Sequence, residues 1–224
     1  MKLSETTLNI LKNFSAINQS IKITGGTTIS TIAPTKTVLA KAEVPDLFDR
    51  PFCIYDLNRF LSILSMFEDP EITLDTTSLI ISDAKTGNGL QKVTYRYCDE
   101  KVIVAAPAND VNFPKPDVSF TLTQKDIAKV NKAAGVLQLP EIAIVGEEGN
   151  LYLRSVNSKD AGSDAFNVLV GESDTDFVAT FKPEYFSKLI AGDYEVEVSS
   201  KKISRFTGKN VVYYIAVEAN STFA

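Results

Sequence analysis

Apolar residues recur at helical spacing in four places along this chain. In residues 5–14, Leu8, Leu11 and Phe14 fall on one face, while Glu5, Asn9 and Lys12 fall on the other. Ser4 stands where an N-cap belongs. In residues 56–67, Asp56 is the cap, Phe60, Ile63, Leu64 and Phe67 point inward, and Asn58, Arg59, Ser62 and Ser65 point outward. Pro70 stops this second helix. In residues 124–134, Thr123 caps the helix and Asp126 lies in its first turn. Here Ile127, Val130 and Ala134 make the inner face, opposite Lys125, Lys129 and Lys132 at i, i+4 and i+7. The fourth helix, 182–191, has Pro183 at its first position and Gly192 at its end.

The remaining apolar runs are short and read as strands. In the first half they cover 20–24, 28–33, 37–44, 52–55, 71–74, 79–82, 92–97 and 101–105. In the second half they cover 141–145, 150–156, 165–170, 177–181, 194–199, 202–206 and 211–219. Gly25-Gly26 and Gly87-Asn88-Gly89 read as turns. Residues 106–119 carry three prolines without any period and read as an extended connector.

The order helix, strands, helix, strands thus occurs twice, on either side of the connector. Leu3, Ser4, Leu8 and Leu11 match Leu122, Thr123, Ile127 and Val130 at an offset of 119. Tyr55, Phe60, Ile63 and Leu64 match Phe181, Phe186, Leu189 and Ile190 at an offset of 126. The chain is expected to be an α+β protein of two similar domains, 1–106 and 120–224, joined by 107–119. In each domain two helices cover one face of antiparallel sheets.

Composition narrows the chemistry. The chain has no histidine, which removes the commonest general base and zinc ligand. It has no phosphate-binding glycine loop, and Glu172-Ser173-Asp174-Thr175-Asp176 lacks the glycine and closing glutamate of a calcium loop. No metal, cofactor or catalytic residue is therefore expected. There is no apolar run of membrane-spanning length and no signal-peptide pattern, and Cys53 and Cys98 read as buried thiols. These point to a cytoplasmic protein without a membrane partner.

Charge is unevenly placed. The net charge is −5, yet the four helical segments hold Lys12, Arg59, Lys125, Lys129, Lys132, Lys182 and Lys188 against four acids, a balance of +3. The remainder of the chain is then −8. Lysines on one helix ordinarily make a solvated face. Four basic-leaning helices on one side of an acidic molecule would instead attract a polyanion.

Three stretches carry a resemblance: MKLSETTLNILKNFSAIN at the start, IYDLNRFLSILSMFEDPEITL in the first half and YYIAVEANSTFA at the end. The chain resembles the sliding clamps of T-even-type tailed bacteriophages. These are DNA polymerase processivity factors related to the proliferating-cell nuclear antigen clamps. The resemblance covers the whole chain and is least specific over 146–180. It implies two clamp domains per subunit and a homotrimeric ring of twelve helices around duplex DNA. Twelve helices each about 10 Å across leave an opening of about 28 Å, enough for a duplex with water around it. The seven basic residues named above would line that hole. Retention would be topological, with no catalysis, and an ATP-dependent clamp loader would open the ring.

The phage DNA polymerase would dock on the outside, in a pocket beside the connector and the C-terminal tail. Val111, Phe113, Ala219 and Phe223 are the residues this implies. Val111 and Phe113 have an equally good structural reading, as pins holding the connector to its own sheet. Subunits would join through strand edges near 101–105 and 166–170. Two other readings stay open: a β-rich oligomeric ring or tube protein of a phage particle, and an enzyme with a carboxylate or metal centre.

Overall fold

A computed structural model describes residues 1–83, 91–160 and 162–223. The expected turn at Gly87-Asn88-Gly89 lies outside them. The chain divides into two compact units, Met1–Ala108 and Asn109–Ala224.

The first unit runs α1 (Glu5–Ile17), β1 (Ile21–Ile23), β2 (Gly26–Ile32), β3 (Val38–Phe48), β4 (Phe52–Ile54), α2 (Leu57–Leu64), β5 (Pro70–Leu74), β6 (Ser78–Asp83) and β7 (Lys92–Arg96). All its pairings are antiparallel: β1 with β4, β2 with β3, and β5-β6-β7 in sequence. The second runs β8 (Val118–Leu122), α3 (Gln124–Val136), β9 (Glu141–Glu147), β10 (Asn150–Val156), β11 (Phe166–Glu172), β12 (Phe177–Phe181), α4 (Pro183–Phe186), β13 (Tyr194–Ser199), β14 (Ile203–Thr207), β15 (Val211–Ala216) and β16 (Thr222–Phe223). One of its sheets has the order β11-β10-β9-β12-β16, and β8, β13, β14 and β15 form a second antiparallel run. Strand β9 lies inside its sheet, and Ile142, Ala143, Ile144 and Val145 are all buried, as a strand covered on both faces requires.

The expected helix faces are present. Leu11, Phe14, Phe60, Leu64, Ile127, Val130 and Ala134 are buried, while Leu8, Ile63 and Phe67 are half-buried. Leu57, not anticipated, is fully buried in the first turn of α2. The repeat also extends to the backbone. The Met1 amine donates to the Ile72 carbonyl at 2.6 Å, and the Ile72 amide donates back to Met1. At equivalent places in the second unit, Phe120 pairs with Val196.

Three expectations are corrected. The fourth helix is a single turn ending at Phe186, not a helix to residue 191. Two buried tyrosines take over the groups that would continue it: the Ile190 amide donates to Tyr213 Oη, and Tyr194 Oη donates to the Ile190 carbonyl. Burial raises both phenols, Tyr213 to about 12, so both stay protonated, Tyr194 as the donor and Tyr213 as the acceptor in this pair of bonds. The strand expected at 101–105 is also missing. A 3-10 turn, Glu100–Val102, takes its place, with Asp99 Oδ1 accepting from the Lys101 amide at 2.9 Å. Finally, Cys98 is only half-buried, though Cys53 is buried as expected.

The acidic loop between β11 and β12 is tightly wound. Ser173 is buried and its Oγ donates to the Thr175 carbonyl at 2.8 Å. A Cβ at Gly146 would stand 2.3 Å from that carbonyl oxygen, so the site demands glycine.

The start of α1 is fastened from a distance. Asp46, near the end of β3, accepts from the Ser4 amide at 2.8 Å, from Ser4 Oγ at 2.7 Å and from Thr7 Oγ1. Burial alone would raise the Asp46 carboxyl, but the hydrogen bonds from Thr7 and Ser4 together outweigh it and hold it below its usual range. A depressed carboxyl contributes stability above its unfolded value of about 4, and that contribution is lost as pH falls through the folded value. Asp46→Ala is expected to cost about 2 kcal/mol at neutral pH in urea unfolding, with the gap from wild type narrowing below about pH 4.

Candidate nucleic-acid interface

Helix α3 presents the clearest charged surface in the second unit. Thr123 Oγ1 accepts from the Asp126 amide at 3.3 Å and donates to Asp126 Oδ2 at 2.6 Å, closing the first turn. Ile127 and Val130 are buried, so the helix can be rolled only one way. Ser155 on β10 locks that roll: its buried Oγ donates to the Val130 carbonyl at 3.0 Å. Lys125, Lys129 and Lys132 are all exposed on the far face. At 1.5 Å per residue the row is about 10 Å long. It is not uniform, because Lys129 Nζ lies 3.5 Å from Asp126 Oδ1. That i, i+3 pair is solvated and holds the lysine loosely. Lys125 and Lys132 make no ion pair among the described residues.

In the first unit, Lys12 on α1 and Arg59 on α2 are exposed, and the two helices pack beside each other. Asn58, Ser62 and Ser65 share the exposed side of α2 with Arg59. Lys182 and Lys188 do not lie on a helix face, because α4 is one turn long. Lys182 is the residue before that turn, and Lys188 is half-buried in the chain that follows it.

Two of the residues assigned to partner binding, Phe113 and Phe223, are already engaged within the second unit. The Arg205 guanidinium lies 4.6 Å over the Phe113 ring, and Tyr214 stands beside it at 6.3 Å. Arg205 is itself ion-paired with Glu197. Val111 is half-buried and Ala219 exposed. The tail forms β16 against β12, and Phe223 stacks on Phe177 at 5.8 Å with the rings 5° apart. Lys202 Nζ sits 5.5 Å over the Phe223 ring and donates to the Ser221 carbonyl. Ser221 Oγ accepts from the Thr180 amide at 2.8 Å. These contacts were not legible in spacing alone, since all but the Arg205–Glu197 pair join residues 19 to 101 positions apart.

Two segments expose apolar side chains. Val102 is 60% exposed, the last residue of the turn that replaces the expected strand. Leu169 is also 60% exposed, on β11 at the edge of its sheet. An edge strand with an exposed leucine is open to further pairing.

Similarity to known proteins falls on the same frame. Residues 2–105 match the family model for DNA polymerase processivity factor, and residues 119–219 match that for the gp45 sliding clamp, C terminal. The chain is 33% identical to the sliding clamp of Vibrio phage KVP40, over 98% of this chain and all of that one. It is 31% identical to the sliding clamp of Escherichia phage RB69, over 99% of both. Among solved structures it is similar to A. fulgidus PCNA bound to the C-terminal region of FEN-1, with a TM-score of 0.70, 13% identity and coverage of 99% and 98%.

The Ser155 bond is testable on stability alone. Ser155→Ala leaves the Val130 carbonyl its intrahelical bond, so a loss of about 1 kcal/mol is expected in chemical denaturation. No loss would mean that packing alone sets the roll of α3.

Proposed function

The chain belongs to the phage sliding-clamp family of DNA polymerase processivity factors, and on that premise we propose that three copies close into a ring around duplex DNA. The observation that carries this reading is the exposed row Lys125, Lys129 and Lys132 on a chain whose net charge is −5. Within the first unit, Lys12 on α1 and Arg59 on α2 are exposed as well. Lysine suits a sliding contact, being a mobile point charge, whereas arginine favours fixed bidentate pairs. Direct affinity for DNA is then low and salt-sensitive, and no base is read. The ring, rather than any bond, keeps the protein on its template.

Exposed Leu169 on the edge of β11, and exposed Val102 beside an unpaired stretch, supply surfaces for joining one copy to the next. Residues 1–106 and 120–224 act as the two clamp domains, with 107–119 between them. The protein tethers the replicative polymerase in the host cytoplasm and performs no catalysis. An ATP-dependent loader opens the ring. The tails of polymerase and loader dock around Val111, Phe113, Ala219 and Phe223. Phe113 and Phe223 are already packed, so a partner covers these rings without displacing them.

Reversing Lys125, Lys129 and Lys132 together to glutamate tests the inner face. Processive synthesis by the polymerase this clamp serves is expected to fall about tenfold or more at physiological salt, with the trimer intact. Unchanged processivity would remove α3 from the DNA-facing side.

A further inference from the structure

The stretch that follows β7 pairs with no strand among the described residues, yet it is fastened to the first unit along its length. The Cys98 amide donates to the Cys53 carbonyl at 3.1 Å. Lys22 Nζ on β1 lies 2.6 Å from Glu100 Oε1. Asn18 Nδ2 donates to the Val104 carbonyl at 2.9 Å.

The last of these bonds comes from a buried side chain. Asn18 closes α1, and its amide donates to the Phe14 carbonyl at 2.9 Å. A helix end asks for that backbone bond and nothing more. The side chain is committed elsewhere. Its Oδ1 accepts from the Ser20 amide at 3.0 Å and from Ser20 Oγ at 3.1 Å, which sets the orientation of the group. Both Nδ2 hydrogens are then used, one on the Ile32 carbonyl at 2.9 Å and one on Val104, 86 positions along the chain. A buried amide with every donor and acceptor engaged is a rigid fork. Across a planar trans peptide the carbonyl and the N–H point opposite ways. A Val104 carbonyl turned in to Asn18 therefore turns the Ala105 amide out, and that amide makes no hydrogen bond among the described residues.

We infer that Asn18 is a positioning residue for joining one copy of this chain to the next. By drawing the Val104 carbonyl inward it presents the Ala105 amide, with exposed Val102 and Val104, to the open edge of β11 in a second copy. The inference rests on the ring reading above. Strand β11 suits the role because it pairs with β10 on one side only and carries exposed Leu169.

The test measures the trimer-to-monomer midpoint of the full chain by light scattering on dilution, with circular dichroism to check that each variant is folded. N18A and N18D are expected to raise the midpoint concentration about tenfold, because every joint of the ring loses the same support. D46A removes a fastening at the other end of α1, about 20 Å away, and should shift the midpoint less than about twofold. Hydrogen exchange on the wild type needs no variant: the Ala105 amide should exchange about tenfold more slowly in the trimer than in the monomer. A wild type that never assembles would remove the ring and this inference together. If the wild type assembles, an unchanged midpoint in N18A and N18D, an equal shift in D46A, or an unprotected Ala105 amide in the trimer would overturn the role of Asn18 alone.

Discussion

The roll of each long helix on its sheet is the constraint on which the surface chemistry depends. A helix turned by one residue would bring lysines into the core and leave apolar groups in water. Two polar fastenings prevent this. Asp46 grips the first turn of α1 through Ser4 and Thr7, and Ser155 reaches the backbone of α3 at Val130. Buried side chains at Leu11, Phe14, Ile127 and Val130 do the rest. The basic residues stay outside because the inside is determined twice, once by apolar burial and once by directed hydrogen bonds.

The two halves keep the same internal order despite little shared side-chain identity. Met1 bonds Ile72 in the first unit as Phe120 pairs with Val196 in the second. What recurs is backbone pairing plus helix coverage, and these tolerate wide substitution of the residues that carry them. Strand order alone would also serve a structural tube component of a phage particle. Full-length similarity to phage sliding clamps decides between the two.

Much of this architecture was legible because it rests on local periodicity. The inner faces of α1, α2 and α3 and the caps Ser4, Asp56 and Thr123 follow from spacing within one or two turns. What was hidden depends on distant partners. The shortness of α4 follows from Tyr194 and Tyr213, whose hydroxyls claim the Ile190 backbone groups. Residues 101–105 have strand-like composition, yet no neighbouring strand pairs with them among the described residues, and Asp99 captures the Lys101 and Val102 amides in a turn. The exposure of Lys125, Lys129 and Lys132 could be read from the sequence. The Lys129–Asp126 pair and the grip of Arg205 on Phe113 required three-dimensional neighbours. A lysine row on an otherwise acidic chain is a surface suited to holding a polyanion in place while letting it move.

Absolute mass in solution, measured by light scattering through a dilution series, tests the ring most directly. The account predicts a species near three times 24.5 kDa that gives way to monomer on dilution. A strict monomer at every concentration would contradict it, because one subunit cannot encircle a duplex.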